Sequence, residues 1–178
     1  MSTPPLRLFF ALPCPDEIRA PLAAWRDGLA IDGQPVAAAN LHLTLAFLGA
    51  VPRARKAELL ALGASMPRIP FELRLERLEL WRNGILHLAP ASIPEALPSL
   101  VHALHDTLRA AGFEIERRPF RPHLTLARHC RRAPDGAAQF AWPARELALY
   151  SSENGPHGTH YRAIGRWPLD GEATFSRD

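Results

Sequence analysis

At 178 residues, 47% hydrophobic and 22% charged, the chain has the make-up of a globular protein able to bury a real core, as one generous domain or two small lobes. No apolar run is long enough for a bilayer crossing, and Met1 to Pro5 lack the basic-then-apolar layout of a secretory leader, so a membrane protein is excluded and a cytoplasmic enzyme is expected. The net charge of +3 rests on arginine, since Lys56 is the one lysine among 21 basic residues.

In chain order, Leu6 to Leu12 reads as a first strand, closed by Pro13 and Pro15. Asp16 and Glu17 open a helix with carboxylates at its positive end, and Ile18, Leu22, Trp25 and Leu29 follow at helical spacing. Pro21 is expected to delay or kink that start. Ile31 to Pro35 reads as a loop, and the next strand starts at His42 and runs through Phe47 and Leu48 to Gly49. Pro52 suits the first turn of a second helix over Arg53 to Ser65. Phe71 to Trp81 alternates polar and apolar residues as a long strand, Asn83-Gly84 signals a hairpin, and Ile85 to Ala89 returns as its partner. From Pro94 a third helix carries the stripe Leu97, Val101, Leu104 and Leu108, with Gly112 as its stop. A strand over Pro122 to Arg128, a polar loop over Arg131 to Ala138, and strands at Phe140 to Tyr150 and His160 to Trp167 complete the order, with a loose tail after Gly171.

Within this order one pentapeptide, His-Leu-Thr-Leu-Ala, occurs twice, at His42 to Ala46 and again at His123 to Ala127. Strand alternation places His42 with Thr44, and His123 with Thr125, on one face while the leucines point to a core. One such motif alone is satisfied by a core histidine; two copies in matching contexts are not required by packing. The surrounding order also repeats, so residues 1–178 read as a single two-lobed unit with an internal duplication of roughly 6–81 and 85–167. The expected fold is α+β, two pseudo-symmetric lobes, each an antiparallel sheet with helices on its outer face. A central cleft between them carries one His-x-Thr motif from each lobe. Two imidazoles facing one substrate are a proton-transfer pair near neutral pH.

Arg117, Arg118, Arg121, Arg128, Arg131 and Arg132 crowd the second motif, relieved only by Glu114 and Glu116. A solvated basic face explains such a cluster; beside a histidine pair, a phosphate-bearing or RNA ligand is the better reading, because the guanidinium fork matches phosphate. Arg128 is the first choice for phosphate. Strict alternation puts it on the face opposite His123, so it must lie at a strand end or a bulge. Its counterpart in the first motif is Phe47, read as core with base stacking as the alternative. Phe9, Trp81, Tyr150 and Tyr161 carry the same two readings, core packing being preferred. His102 and His105 have a metal-compatible spacing without further ligands, and are read as an exposed helix face. His157 and His160 are surface residues or lie near the cleft, and His87 and His129 have no assigned role. Cys14 and Cys130 lack metal-ligand spacing and are read as buried thiols, a disulfide being the alternative.

The chain resembles the 2H phosphoesterases, closest to their RNA 2′,3′-cyclic phosphodiesterase branch, also described as 2′-5′ RNA ligases. The resemblance lies in Arg7 to Leu12, Asn40 to Gly49, Phe120 to Arg128 and Leu149 to Ser152. It implies a metal-independent opening of RNA 2′,3′-cyclic phosphate ends to 2′-phosphates, with no cofactor. His42 is then the proton donor and His123 the acceptor, assisted by Thr44 and Thr125. Arg128, Arg121, Phe9, Phe47 and Tyr150 are the substrate-binding candidates. The implied partner is RNA or a nucleotide with a 2′,3′-cyclic phosphate; no membrane or obligate protein partner is expected, and the chain is read as a monomer. ATP-independent 2′-5′ ligation at the same site, or a nucleotide- or RNA-binding module without turnover, are the alternatives.

Overall fold

The computed structural model describes residues 3–171; the tail after Gly171, read as loose, lies outside the described residues. The chain forms two antiparallel sheets. Strand β1 (Leu6–Pro13) leads into helix α1 (Asp16–Asp27), a two-residue strand β2 (Gln34–Pro35), and the first motif strand β3 (His42–Val51). Helix α2 (Lys56–Ala64), strand β4 (Phe71–Leu80), strand β5 (Leu86–Pro90) and helix α3 (Ala96–Ala110) follow. The second motif strand β6 (Leu124–Arg128), then β7 (Phe140–Ala144), β8 (Glu146–Gly155) and β9 (Gly158–Pro168) complete the order. The first sheet runs β3-β1-β8-β9 and the second β2-β6-β5-β4-β7. The α+β class and the paired antiparallel sheets are as expected.

Each sheet takes strands from both halves of the chain. β4 pairs with β5 and β7 in the second sheet, while β8 pairs with β1 and β9 in the first. The stretch from Phe140 to Tyr150 is therefore not one strand. Its first part pairs with β4, the backbone breaks at Arg145, and its second part pairs with β1. Both parts keep the apolar pattern of a strand, so the break leaves no mark in periodicity. The segment read as a loop also contains a strand: Gln34 and Pro35 pair with Arg128 and Ala127, an edge position where a proline without N–H is tolerated. The second motif strand starts at Leu124, two residues later than its pattern suggests.

Pro21 lies inside α1 and does not delay its start at Asp16; it removes only the bond its own amide would have made to the Glu17 carbonyl. α1 lies against β7, where the Trp25 ring meets Phe140 edge-on at 5.3 Å and its indole N–H donates to the Ala137 carbonyl at 3.1 Å. α3 touches β3 and α2, burying the expected stripe of Leu97, Val101, Leu104 and Leu108. The hairpin at Asn83-Gly84 is present: Gly84 has φ +86°, and its carbonyl accepts from the Cys130 amide at 3.0 Å, tying the hairpin to the end of β6. Leu8, Phe10, Leu12, Leu43, Leu73, Leu88, Leu124 and Trp142 are fully buried in a continuous core. Cys14 and Cys130 are free, buried thiols, and burial pushes the Cys14 thiol up to about 12. No helix among the described residues is long and apolar enough to cross a membrane.

α2 packs on β8 and β9, with close approaches at Gly63 and at Gly165. A Cβ on Gly63 would stand 2.3 Å from Trp167 Cη2 and 2.5 Å from Cζ3. Gly63→Ala is expected to lower the unfolding free energy by about 1–3 kcal/mol, the usual range for overpacking, measured as an earlier urea midpoint at unchanged slope. An unchanged midpoint would mean that the indole can slide away freely.

Candidate active site

The motif strands β3 and β6 approach each other where the two sheets meet. Each carries an extra residue just after its threonine, and β3 carries a second further on, at Leu48. In β3, Phe10 pairs with Ala46 but Ala11 pairs with Thr44, leaving Leu45 unmatched. In β6, Leu86 pairs with Ala127 but His87 pairs with Thr125, leaving Leu126 unmatched. A bulge of this kind inverts the in–out alternation beyond it. Leu45 with Ala46, and Leu126 with Ala127, are consequently buried in succession. Phe47 and Arg128 then emerge on the same face as the histidine and threonine of their strands. The bulge that the Arg128 assignment required is present.

Phe47 is correspondingly not core. It is 51% exposed, with the Arg7 guanidinium 5.6 Å from its ring centroid. Thr44, Phe47, Trp81, Arg82, Phe120, Arg121 and His123 are among the residues that line one cleft of about 680 Å³. The cleft is thus reached by Thr44 of the first motif and by His123 of the second, whereas His42, Thr125 and Arg128 are not among its lining residues.

The two imidazoles are held alike at one nitrogen and differently around the ring. The backbone carbonyl two residues upstream accepts from Nδ1–H in both: Asn40 to His42 at 2.7 Å and Arg121 to His123 at 2.8 Å. That bond fixes the tautomer and leaves Nε2 as the nitrogen free of the backbone. Nε2 of neutral His42 accepts from the Thr44 hydroxyl at 2.8 Å. Asn40 in turn donates from Nδ2 to the Thr159 carbonyl at 2.7 Å and accepts from the Tyr161 amide at 3.4 Å, which anchors the first motif to β9. Sequence reasoning missed Asn40 as a positioning residue. A carbonyl that any residue could supply leaves no pattern to find.

His42 stands in an aromatic box. Phe9 lies 4.9 Å from its ring and Tyr161 5.1 Å edge-on, with Tyr150 stacked on Phe9 at 5.4 Å. Phe9 is only 3% exposed, so it shapes the site through the imidazole and offers no face to a ligand, contrary to its assignment as a substrate contact. Phe9 is buried, as the core reading has it, while Tyr150, Tyr161 and Trp81 are half-buried and lie outside the continuous core preferred for them from sequence. On the other wall, His123 packs against Trp81 at 4.5 Å and His87 at 5.6 Å. Burial holds His42 down at about 4, with the positive charges of Arg128 and His123 adding to it. His123 is also lowered, first by burial and then by His87 and Arg128. Arg128 therefore acts on both imidazoles at once.

Of the six arginines around the second motif, Arg118 pairs with Glu116. Arg117, Arg121, Arg128, Arg131 and Arg132 pair with no acidic side chain among the described residues. Their charge is free for an anion. A second groove of about 610 Å³ lies behind Tyr150 and Tyr161, but its Arg19, Arg145 and Arg166 are each matched by a carboxylate. His102 is exposed and pairs with Asp106 at 3.1 Å. His105 departs from the exposed-face reading, because its Nε2–H donates to the Leu45 carbonyl at 2.8 Å and pins the first bulge. His157 and His160 are exposed.

A model of the LigT-like phosphoesterases matches the chain twice, over residues 12–87 and 88–161. The chain belongs to the LigT-like phosphoesterase family. It is 38% identical to an RNA 2′,3′-cyclic phosphodiesterase of Escherichia coli, covering 93% of this chain and 97% of that one. It is 32% identical to an RNA 2′,3′-cyclic phosphodiesterase of Thermus thermophilus, covering 94% and 92%. The crystal structure of E. coli LigT complexed with 3′-AMP superposes with a TM-score of 0.84 at 34% identity, over 94% of this chain and 99% of that one. The twofold family match mirrors the paired bulges: each matched segment carries one His-x-Thr strand.

The neutral state of His42 has a thermodynamic consequence. Its proton affinity falls on folding, from an ordinary 6.5 to about 4, so the unfolded chain binds more protons in that interval. This contribution to stability is complete above pH 6.5 and is lost as pH falls toward about 4. His42→Gln is expected to flatten the pH dependence of the urea midpoint across this window. An identical slope in both proteins would locate the effect elsewhere.

Proposed function

We propose that the cleft hydrolyses RNA 2′,3′-cyclic phosphate ends to 2′-phosphomonoesters by paired-histidine acid–base catalysis, without a metal ion. The observation that carries this reading is the pair of imidazoles held by the same Nδ1 bond on two matching strands, beside a cleft that Thr44, Arg121 and His123 line. Water attacks phosphorus in line with the ribose 3′ oxygen. His123 Nε2 accepts the proton of the water as the new P–O bond forms. His42 Nε2–H gives a proton to the 3′ oxygen as its bond to phosphorus breaks, so the phosphate stays on the 2′ oxygen. Each such transfer is typically worth about 10²–10⁴ in rate. In this reading the hydroxyls of Thr44 and Thr125 and the Arg128 guanidinium hold the non-bridging oxygens, where charge grows in the transition state.

The donor role asks for a protonated His42, while the free protein keeps that ring neutral near pH 7. The substrate resolves this conflict: a phosphate anion beside Nε2 supplies the opposite charge that the aromatic box lacks, so the proton is loaded with the ligand. The curated relatives act on RNA 2′,3′-cyclic phosphates, and the unpaired arginines around the second motif suit an RNA backbone. Arg121 and Phe47 line the cleft as contacts for phosphate and base. Residues 1–178 are read as one two-lobed unit, a monomer in the cytoplasm; a site assembled from both halves of one chain needs no second copy.

An oligonucleotide ending in a 2′,3′-cyclic phosphate, incubated with excess chelator, tests this function. The wild type is expected to yield a 2′-phosphate, and His42→Ala and His123→Ala are each expected to lose about 10²–10⁴ of the rate. A wild type that binds the oligonucleotide without turnover would leave a binding module, and activity lost to the chelator would restore a metal.

A further inference from the structure

His87 is 1% exposed and no part of the acid–base pair uses it. Strand register places it on the cleft face, in a row that crosses the second sheet: Thr125 on β6, His87 on β5 and Glu79 on β4. The matching row of the first sheet runs Thr44, Ala11, Ala148. Alanines suffice there, so packing of the fold does not call for a histidine and a carboxylate at these places.

Both ring nitrogens of His87 face acceptors. Nδ1 stands 3.2 Å from the Ile85 carbonyl, and Nε2 stands 3.5 Å from Glu79 Oε2. Glu79 Oε1 accepts from Arg77 at 2.6 Å, so that carboxylate is an acceptor on both oxygens. A neutral imidazole would aim a lone pair at one of these oxygens; the imidazolium satisfies both. Burial is the larger influence and pushes the His87 proton affinity below the ordinary histidine value, while the Ile85 carbonyl and Glu79 oppose it. The charged and titratable groups around the ring are Glu79 with Arg77 on β4, and His123 with Arg128 from the β6 side. Trp81 packs on both rings, at 4.1 Å from His87 and 4.5 Å from His123.

We propose that His87, with Glu79 as its counter-charge, takes up a proton in preference to His123, and so acts as a positioning residue that keeps His123 in its neutral, proton-accepting form. A cation 5.6 Å away repels a second one, so His123 stays a base to lower pH than burial alone would allow. This inference rests on the reading of His123 as the base in hydrolysis of the cyclic phosphate.

The test is a titration of the His123 imidazole by NMR in wild type, His87→Phe and Glu79→Gln, beside pH profiles of kcat/KM on a 2′,3′-cyclic nucleotide. Loss of the cation, or of the carboxylate that keeps it, is expected to raise the His123 midpoint by about one pH unit, for unit charges 5.6 Å apart at an effective dielectric of about 40. The acid limb of kcat/KM moves up by the same amount while the plateau changes by only a few-fold. Glu79 is 34% exposed, so Glu79→Gln decides the matter if His87→Phe does not fold. A midpoint that stays put or falls in a folded variant overturns the proposal and leaves His87 as packing. A midpoint that rises without any movement of the activity profile upholds the coupling and removes His123 as the base.

Discussion

The extra residue carried by each motif strand is the constraint on which the cleft depends. With regular pairing, Arg128 would follow the leucines into the core and Phe47 would do the same in the other sheet. Leu45 and Leu126 absorb the offset at the same place in the two repeats, immediately after the threonine. Histidine, threonine and the residue three places further then share a face. The bulges are themselves supported. His105 from α3 bonds the Leu45 carbonyl, and the hairpin at Gly84 ties down the chain just past Arg128. Neither support touches the imidazoles directly, yet each fixes the strand on which one is carried.

Around this shared frame the two half-sites have diverged in polarity. One imidazole is enclosed by Phe9, Tyr150 and Tyr161, groups with no charge to offer near neutral pH. The other sits over Trp81 and the His87–Glu79 pair, where a proton can be held within the protein itself. Approximate twofold symmetry brings two equal bases together, but acid–base catalysis needs them unequal. Unlike second layers beneath like first layers supply the inequality, while Arg128 biases both rings in the same direction.

Strand exchange between the repeats serves the same end. Because β4 completes the second sheet and β8 and β9 complete the first, neither half of the chain closes a sheet unaided. The core strands are paired on both edges, and β1 and β5 lie inside their sheets next to β3 and β6. Each motif strand is thus backed by a central strand, and a site built on sheets is held more closely than one built on loops.

Much was legible in the linear sequence because it obeys short-range rules. Period-two alternation, the Asn83-Gly84 turn, proline and glycine punctuation, and an exact five-residue repeat fixed the strands, the helices and the two histidines with their threonines. The need for Arg128 to break the alternation was likewise readable from its spacing to His123. Other features were decided by pairing partners far away in the chain. The division of Phe140 to Tyr150 between two sheets, the strand at Gln34–Pro35, the exposure of Phe47 and the burial of Phe9 under His42 are of this kind. A residue's own sequence neighbourhood does not record which strand lies beside it. The same holds for Asn40, whose side-chain amide finds β9 only in the fold, and for His87, whose meaning comes from Glu79 and His123 brought to it by folding. The sequence by itself determined which groups could move a proton; the tertiary structure decided which nitrogen each presents and what charge stands behind it, because those depend on distance through space and on the exclusion of water.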